Sequence, residues 1–113
     1  MAVYQKSVDF ADAICDLTEQ FPPRYNHLGD QLNRASLSIA SNIAEGNGRF
    51  TKPDRKRFFG IARGSVQEFV PQLELARRRK LVSEEQHVNL KLQLEEISRM
   101  LSGLINGLDN HEN

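Results

Sequence analysis

Residues 83–108 read SEEQHVNLKLQLEEISRMLSGLINGL. Within this stretch Leu90, Leu94, Ile97, Leu101, Leu104 and Leu108 recur at alternating steps of four and three. That spacing lays them along one stripe of an α-helix and does not fit the alternation of a half-buried strand. Ser83 followed by Gln86 forms a capping box, so a helix is expected over 83–108. A seam this regular needs partner helices to bury it.

The partners lie upstream. A first helix is expected over 3–20, with Val3, Phe10, Ile14 and Leu17 on its apolar stripe and Phe21 just beyond its end. Pro22 and Pro23 forbid its continuation. A second is expected over 27–47, with Leu28, Leu32, Ala35, Ile39 and Ile43 facing inward and Gly46 or Gly48 as a left-handed cap. A third is expected over 53–79, opening on Pro53 and carrying Phe58, Ala62, Ser65, Phe69, Leu73 and Ala76. Pro71 lies inside that pattern. It removes one backbone donor and is expected to kink the helix beside the Gln67 carbonyl. The tail Asp109–Asn113 is expected to fray. Four long helices with short connections favour an all-α, antiparallel up-down-up-down four-helix bundle.

The chain has 113 residues, enough for a single domain over 1–113. Lys+Arg and Asp+Glu both number 15, so total charge does not draw it to polyanions. No apolar run approaches membrane-spanning length, so no membrane association is expected. Cys15 is the sole cysteine. With no signal-peptide pattern after Met1, it favours a reducing, cytoplasmic location.

Two helices carry more apolar surface than one core needs. On the second, Leu37, Ala40 and Ala44 form a separate flank. On the third, Ile61 and Leu75 point away from Ala62, beside Gly60 and Gly64. Small residues four apart admit a second backbone. This face is the candidate interface of a homo-oligomer.

Catalytic and metal chemistry is not assembled. His27, His87 and His111 lie in separate segments, without a second ligand nearby. Cys15 reads as a small half-buried residue rather than a nucleophile. Asp9, Asp12, Asp16 and Glu19 read as a solvated helix face. The stretch from Gly46 to Arg49 completes no phosphate-loop motif. The protein is therefore expected to be no enzyme, with no cofactor, metal or small-molecule substrate.

The zero total hides an uneven distribution. Residues 1–33 hold two basic and five acidic side chains, and 81–113 hold two and six. Residues 49–80 hold ten basic and three acidic ones. Arg49, Lys52, Lys56, Arg63, Arg77 and Arg78 are the candidate nucleic-acid contacts, since phosphate backbones need several cations presented together. Ion pairing with the acidic helices, and complementing the helix C-terminus with Arg77–Lys80, are the competing uses. No aromatic residue outside the apparent core interleaves with these cations, which argues against stacking on single strands.

The stretch SIASNIAEGNGR, within 38–49 after Arg34-Ala35, is followed by FFGIARGSVQE over 58–68. This pair of motifs resembles the four-helix-bundle family of proteins encoded in 23S rRNA intervening sequences. More distantly, the chain is similar to the accessory variability protein of diversity-generating retroelements. The resemblance implies a bacterial cytosolic protein, a bundle assembled into a pentameric ring, and no established enzymatic activity. Carried onto this chain, the motif marks Arg34, Asn42, Glu45, Gly46, Gly48, Gly64 and Ser65, read as structural. Asn42 is placed to bond across helices, and Glu45 to pair with a cation of the third helix or of a neighbour. Pro71 departs from the family pattern, as does the neutral charge from the basic retroelement relatives.

Two functions stand at this point. One is a non-enzymatic oligomeric scaffold contacting RNA, or a nucleic-acid-associated partner, through the basic third helix. The other is a protein–protein adaptor or structural scaffold with no nucleic-acid contact.

Overall fold

The computed structural model describes residues 1–110. His111 and the rest of the expected frayed tail beyond Asn110 lie outside the described residues. Four helices pack around one core, and no strand occurs among the described residues. They are α1 (Ala2–Thr18), α2 (Asn26–Gly48), α3 (Lys52–Arg78) and α4 (Glu84–Asn110), with a single 3-10 turn at Pro23–Tyr25. The molecule is elongated, 52 × 21 × 20 Å.

The ends of the helices follow from local chemistry. α1 stops at Thr18, whose hydroxyl donates to the Cys15 carbonyl at 3.2 Å. Phe21 then turns inward and packs against Gly29 of α2, where an added Cβ would sit 3.5 Å from the ring. α3 opens on Thr51, whose hydroxyl accepts from the Asp54 amide at 3.3 Å, and it continues unbroken through Pro71. Pro71 is exposed, so water can reach the acceptor it leaves unpaired. At the start of α4 the Ser83 amide donates to Gln86 Oε1 at 2.9 Å. The Gln86 amide donates back to Ser83 Oγ at 3.1 Å. That reciprocal pair is the capping box read in the sequence.

The caps differ from expectation at two points. No described glycine has a positive φ, so neither Gly46 nor Gly48 is a left-handed cap; α2 ends with Arg49 in extended backbone. The left-handed residue is Lys80, at φ 62°. The Leu81 amide donates to the Ala76 carbonyl and the Lys80 amide to the Arg77 carbonyl, both at 3.0 Å. These two bonds close a Schellman turn at the end of α3 without a glycine.

The core runs along all four helices. Phe10 of α1 meets Phe69 of α3 edge-on, with ring centroids 5.1 Å apart. Leu32, Ile39 and Ile43 of α2, Leu73 of α3, and Leu94, Ile97 and Leu101 of α4 are fully buried with them. Two stripe assignments shift by one residue. Phe59, not Phe58, is fully buried, because Phe59, Ala62, Val66, Phe69, Leu73 and Ala76 share one stripe and Phe58 falls on its flank. Ile105 is buried in α4, whereas Leu104 and Leu108 are only half-buried.

Cross-helix contacts fix which segments meet. The end of α2 meets the start of α3 at Gly46 and Phe59. Lys56 of α3 bonds Asp109 of α4 at 2.6 Å, and Arg63 bonds Ser102 at 3.2 Å. Arg77, near the end of α3, reaches Glu84 at the start of α4.

Candidate nucleic-acid and assembly surfaces

The α2–α3 face holds a polar seam. Ser38 and Ser65 hydroxyls bond across the helices at 3.0 Å. Asn42 does not bridge the helices. Its amide donates to the Ser38 carbonyl at 2.8 Å and to Ser38 Oγ at 3.2 Å, one turn back on its own helix. It therefore orients the serine that makes the crossing. Beside this bond lies an open groove of about 260 Å³ lined by Gln31, Arg34, Ser38, Ser65, Glu68 and Gln72. Arg34 and Glu68 are exposed on its rim. Gln72 Oε1 is buried without a hydrogen-bond partner.

The candidate cations separate into two groups. At the α2–α3 connection, Arg49 pairs with Glu45 at 2.9 Å. Glu45 thus serves the end of its own helix. Lys52 is half-buried, and Lys56 is held by Asp109. Arg55 donates to the carbonyls of Asn47 and Arg49 at 3.3 and 3.5 Å. The Arg49 and Arg57 guanidinium carbons lie 4.6 and 4.5 Å from the centre of the Phe58 ring. Arg63, further along α3, is half-buried against Ser102.

At the other end of α3, Arg77 is engaged twice. It bonds both Glu74 carboxylate oxygens, at 2.5 and 3.0 Å, and Glu84 at 2.9 Å. The bond from Arg77 holds the Glu74 carboxyl below its ordinary range, and the two carboxylates push the Arg77 guanidinium further up. Arg78 stands 3.9 Å from Glu74 and is largely exposed.

The candidate assembly face is open. Leu37, Ile61 and Leu75 are 61%, 43% and 48% exposed, and Ala44 is exposed further along α2 from Leu37. Nothing lies within 4 Å of an added Cβ at Gly60 or Gly64, so neither glycine serves a close approach inside the chain. Ala40 departs from this set. It is 5% exposed and packs within the chain, so it offers no surface to a neighbour. Cys15 is exposed rather than half-buried. Among the described residues no cluster of His, Cys, Asp or Glu is arranged to hold a metal ion, and no helix is long and apolar enough to cross a membrane.

The profile of the 23S rRNA-intervening sequence protein family matches residues 1–103. The chain belongs to this family. A crystal structure of a protein with unknown function from the S23 ribosomal protein family of Bacteroides thetaiotaomicron has the same fold. Its TM-score is 0.86 at 26% identity, over 93% of this chain and 96% of that one. No functionally curated protein matches the chain.

The family motif maps onto the α2–α3 face. Arg34, Ser65 and Glu68 line the groove, with Asn42 behind the serine pair. Gly46 is buried directly against Phe59, and Glu45 braces Arg49. Gly48 is exposed with open space around it, as Gly64 has around it. Sequence reasoning missed one feature of this end. Phe50, between α2 and α3, is fully exposed at 102% of its reference area. With half-buried Phe58 it supplies the aromatic surface among cations that the sequence reading did not find. The available signal was Phe50 itself, standing between Arg49 and Lys52 in a stretch too short to fold over it.

Proposed function

We propose that this protein is a non-enzymatic, self-associating helical scaffold that meets RNA through the basic α2–α3 end. The observation that carries the reading is the gathering of Arg49, Lys52, Arg55 and Arg57 within the connection and the first turns of α3. Arg57 is exposed and has no carboxylate partner among the described residues. Clustered cations at one end suit a polyanion better than a set of internal ion pairs. Arg77 is assigned instead to holding α3 against the start of α4.

Self-association is supported by the open face of Leu37, Ile61 and Leu75 around Gly60 and Gly64. An up-down-up-down course belongs to the same proposal, supported by the pairings Gly46–Phe59, Lys56–Asp109 and Arg77–Glu84. A ring of five copies in a bacterial cytoplasm is what the family resemblance implies. Such a ring repeats the basic end several times, and the copies act together on one RNA.

A salt titration of binding to structured RNA and duplex DNA, with oligomer mass read in the same buffer, tests this reading. Micromolar or tighter binding that falls steeply with salt is expected. No binding at low salt by an intact oligomer would overturn it in favour of the protein–protein adaptor, to which the charges paired within the chain already lend support.

A further inference from the structure

The most exposed large apolar side chain among the described residues is Phe50. It stands fully in solvent on the three-residue connection Arg49–Thr51, and its exposure of 102% exceeds that of every other large apolar residue described. Leu37, at 61%, comes next. A single exposed apolar side chain is ordinary on a protein surface, so Phe50 takes its meaning from the cations that cluster beside it in the chain.

Its surroundings define the chemistry of that contact. Residues 49–57 carry five basic side chains and one acidic one. Phe58 is half-buried beneath two guanidinium groups, those of Arg49 and Arg57. Arg49 is steadied by Glu45, and Arg55 reaches back to the Asn47 and Arg49 carbonyls that frame the connection. Thr51 caps α3 immediately after Phe50. The ring is thus presented on a short connection fixed on both sides. The cations beside it are mostly arginine, whose planar group stacks and also bonds phosphate in a fixed fork.

We propose that Phe50, next in the chain to Arg49 of the Arg49–Phe58–Arg57 stack, takes up an unpaired nucleotide, the base lying on the ring and the adjoining phosphates on the arginines. The proposal rests on the RNA reading above and narrows it from phosphate attraction to recognition of unpaired bases. A base has a flat face for the ring and a phosphate on either side for the cations. Duplex RNA keeps its bases stacked inside and offers Phe50 no face. An apolar pocket on a protein partner, or an anionic bilayer, would ask for apolar bulk. A lone Phe50 between Arg49 and Thr51 provides little of it.

The test uses the full chain in its native assembly, with fluorescent single-stranded RNA of mixed sequence and a blunt RNA duplex as probes. Phe50→Leu keeps the apolar bulk and removes the aromatic face, and Phe50→Trp restores a face. Phe50 touches no core residue, so circular dichroism and oligomer mass should match the parent in both. Single strands are expected to bind more tightly than the duplex. Phe50→Leu should weaken single-strand binding roughly ten-fold or more, leave duplex binding within about two-fold, and be rescued by Phe50→Trp. Equal single-strand binding by the parent and Phe50→Leu would overturn the proposal. So would an equal loss on both probes. If the duplex binds and Phe50 variants do not discriminate, this inference alone fails. If neither RNA form binds, the RNA reading fails with it.

Discussion

Gly46 of α2 and Phe59 of α3 meet with no room for a side chain between them. An added Cβ at Gly46 lies 2.7 Å from Phe59 Cε1 and 3.3 Å from the Arg55 carbonyl oxygen. Phe59 is fully buried and packed on all sides, so its ring cannot yield without moving the core. In an open helix, Gly→Ala stabilises by roughly 0.5–1 kcal/mol because glycine has more freedom to lose. Here the sign reverses. Gly46→Ala is expected to destabilise by about 1–3 kcal/mol, the range for overpacking a filled core. Urea unfolding with an unchanged m-value and a lower midpoint checks it. An unchanged or higher midpoint would remove the close approach as the reason for this glycine.

Lys80 carries the opposite expectation. Its φ of 62° places a side-chain-bearing residue in the left-handed region, at the point of the Schellman turn where glycine is usual. The strain is worth about 1–2 kcal/mol, partly offset by the loss of unfolded-state freedom. Lys80→Gly is therefore expected to stabilise by roughly 0.5–1 kcal/mol. Thermal unfolding checks it directly, and a lower melting temperature would mean that the Lys80 side chain does more than tolerate the turn.

These two residues show how far the sequence could be read. Helix count, the seam of α4 as far as Leu101 and the Ser83–Gln86 box are legible because each depends on spacing along one element. Pairing across elements is not. Nothing local distinguishes Gly46 as a contact from Gly46 as a cap; only the position of Phe59 on another helix decides. The shift from Phe58 to Phe59 is a phase error of one residue. It arises because both neighbours are phenylalanine and composition cannot choose between them. That shift also hid the site, since Phe58 assigned to the core leaves Arg49 and Arg57 with no aromatic surface. Of the candidate cations, Arg77 was legible as basic but not as the partner of Glu84, because Glu84 comes from the next helix.

The Glu74–Arg77–Glu84 cluster makes stability depend on acidity. The hydrogen bond from Arg77 lowers the Glu74 pKa below its ordinary 4.5, with Arg77, Arg78 and His87 charges acting the same way and desolvation opposing them. A carboxylate with a depressed folded pKa contributes stability that is present above its unfolded pKa. It is lost as pH falls through the folded one. The side chains are partly exposed, so the contribution at neutral pH is small. Glu74→Gln is expected to leave the neutral-pH midpoint nearly unchanged and to flatten the decline below about pH 4.5. Denaturation midpoints measured across the acid range check this, and identical acid limbs for the two proteins would assign the decline to other carboxylates.

Gly64 separates fold from assembly. With nothing within 4 Å of an added Cβ, Gly64→Ala is expected to stabilise an isolated chain by roughly 0.5–1 kcal/mol. In an assembly that brings a second backbone against Gly60 and Gly64, the same methyl group occupies the space that the partner needs. Gly64→Leu fills it further, and Ile61→Asp places a charge on the neighbouring apolar surface without disturbing any core residue. Sedimentation and helical content should be measured together on all three. The expected pattern is near-native helicity throughout, with self-association weakened most by Gly64→Leu and Ile61→Asp. Full assembly by both would move the contact away from this face of α3. Loss of helicity in Gly64→Leu alone would show instead that the chain needs that space for its own packing, leaving Ile61→Asp to decide whether the face is shared between copies.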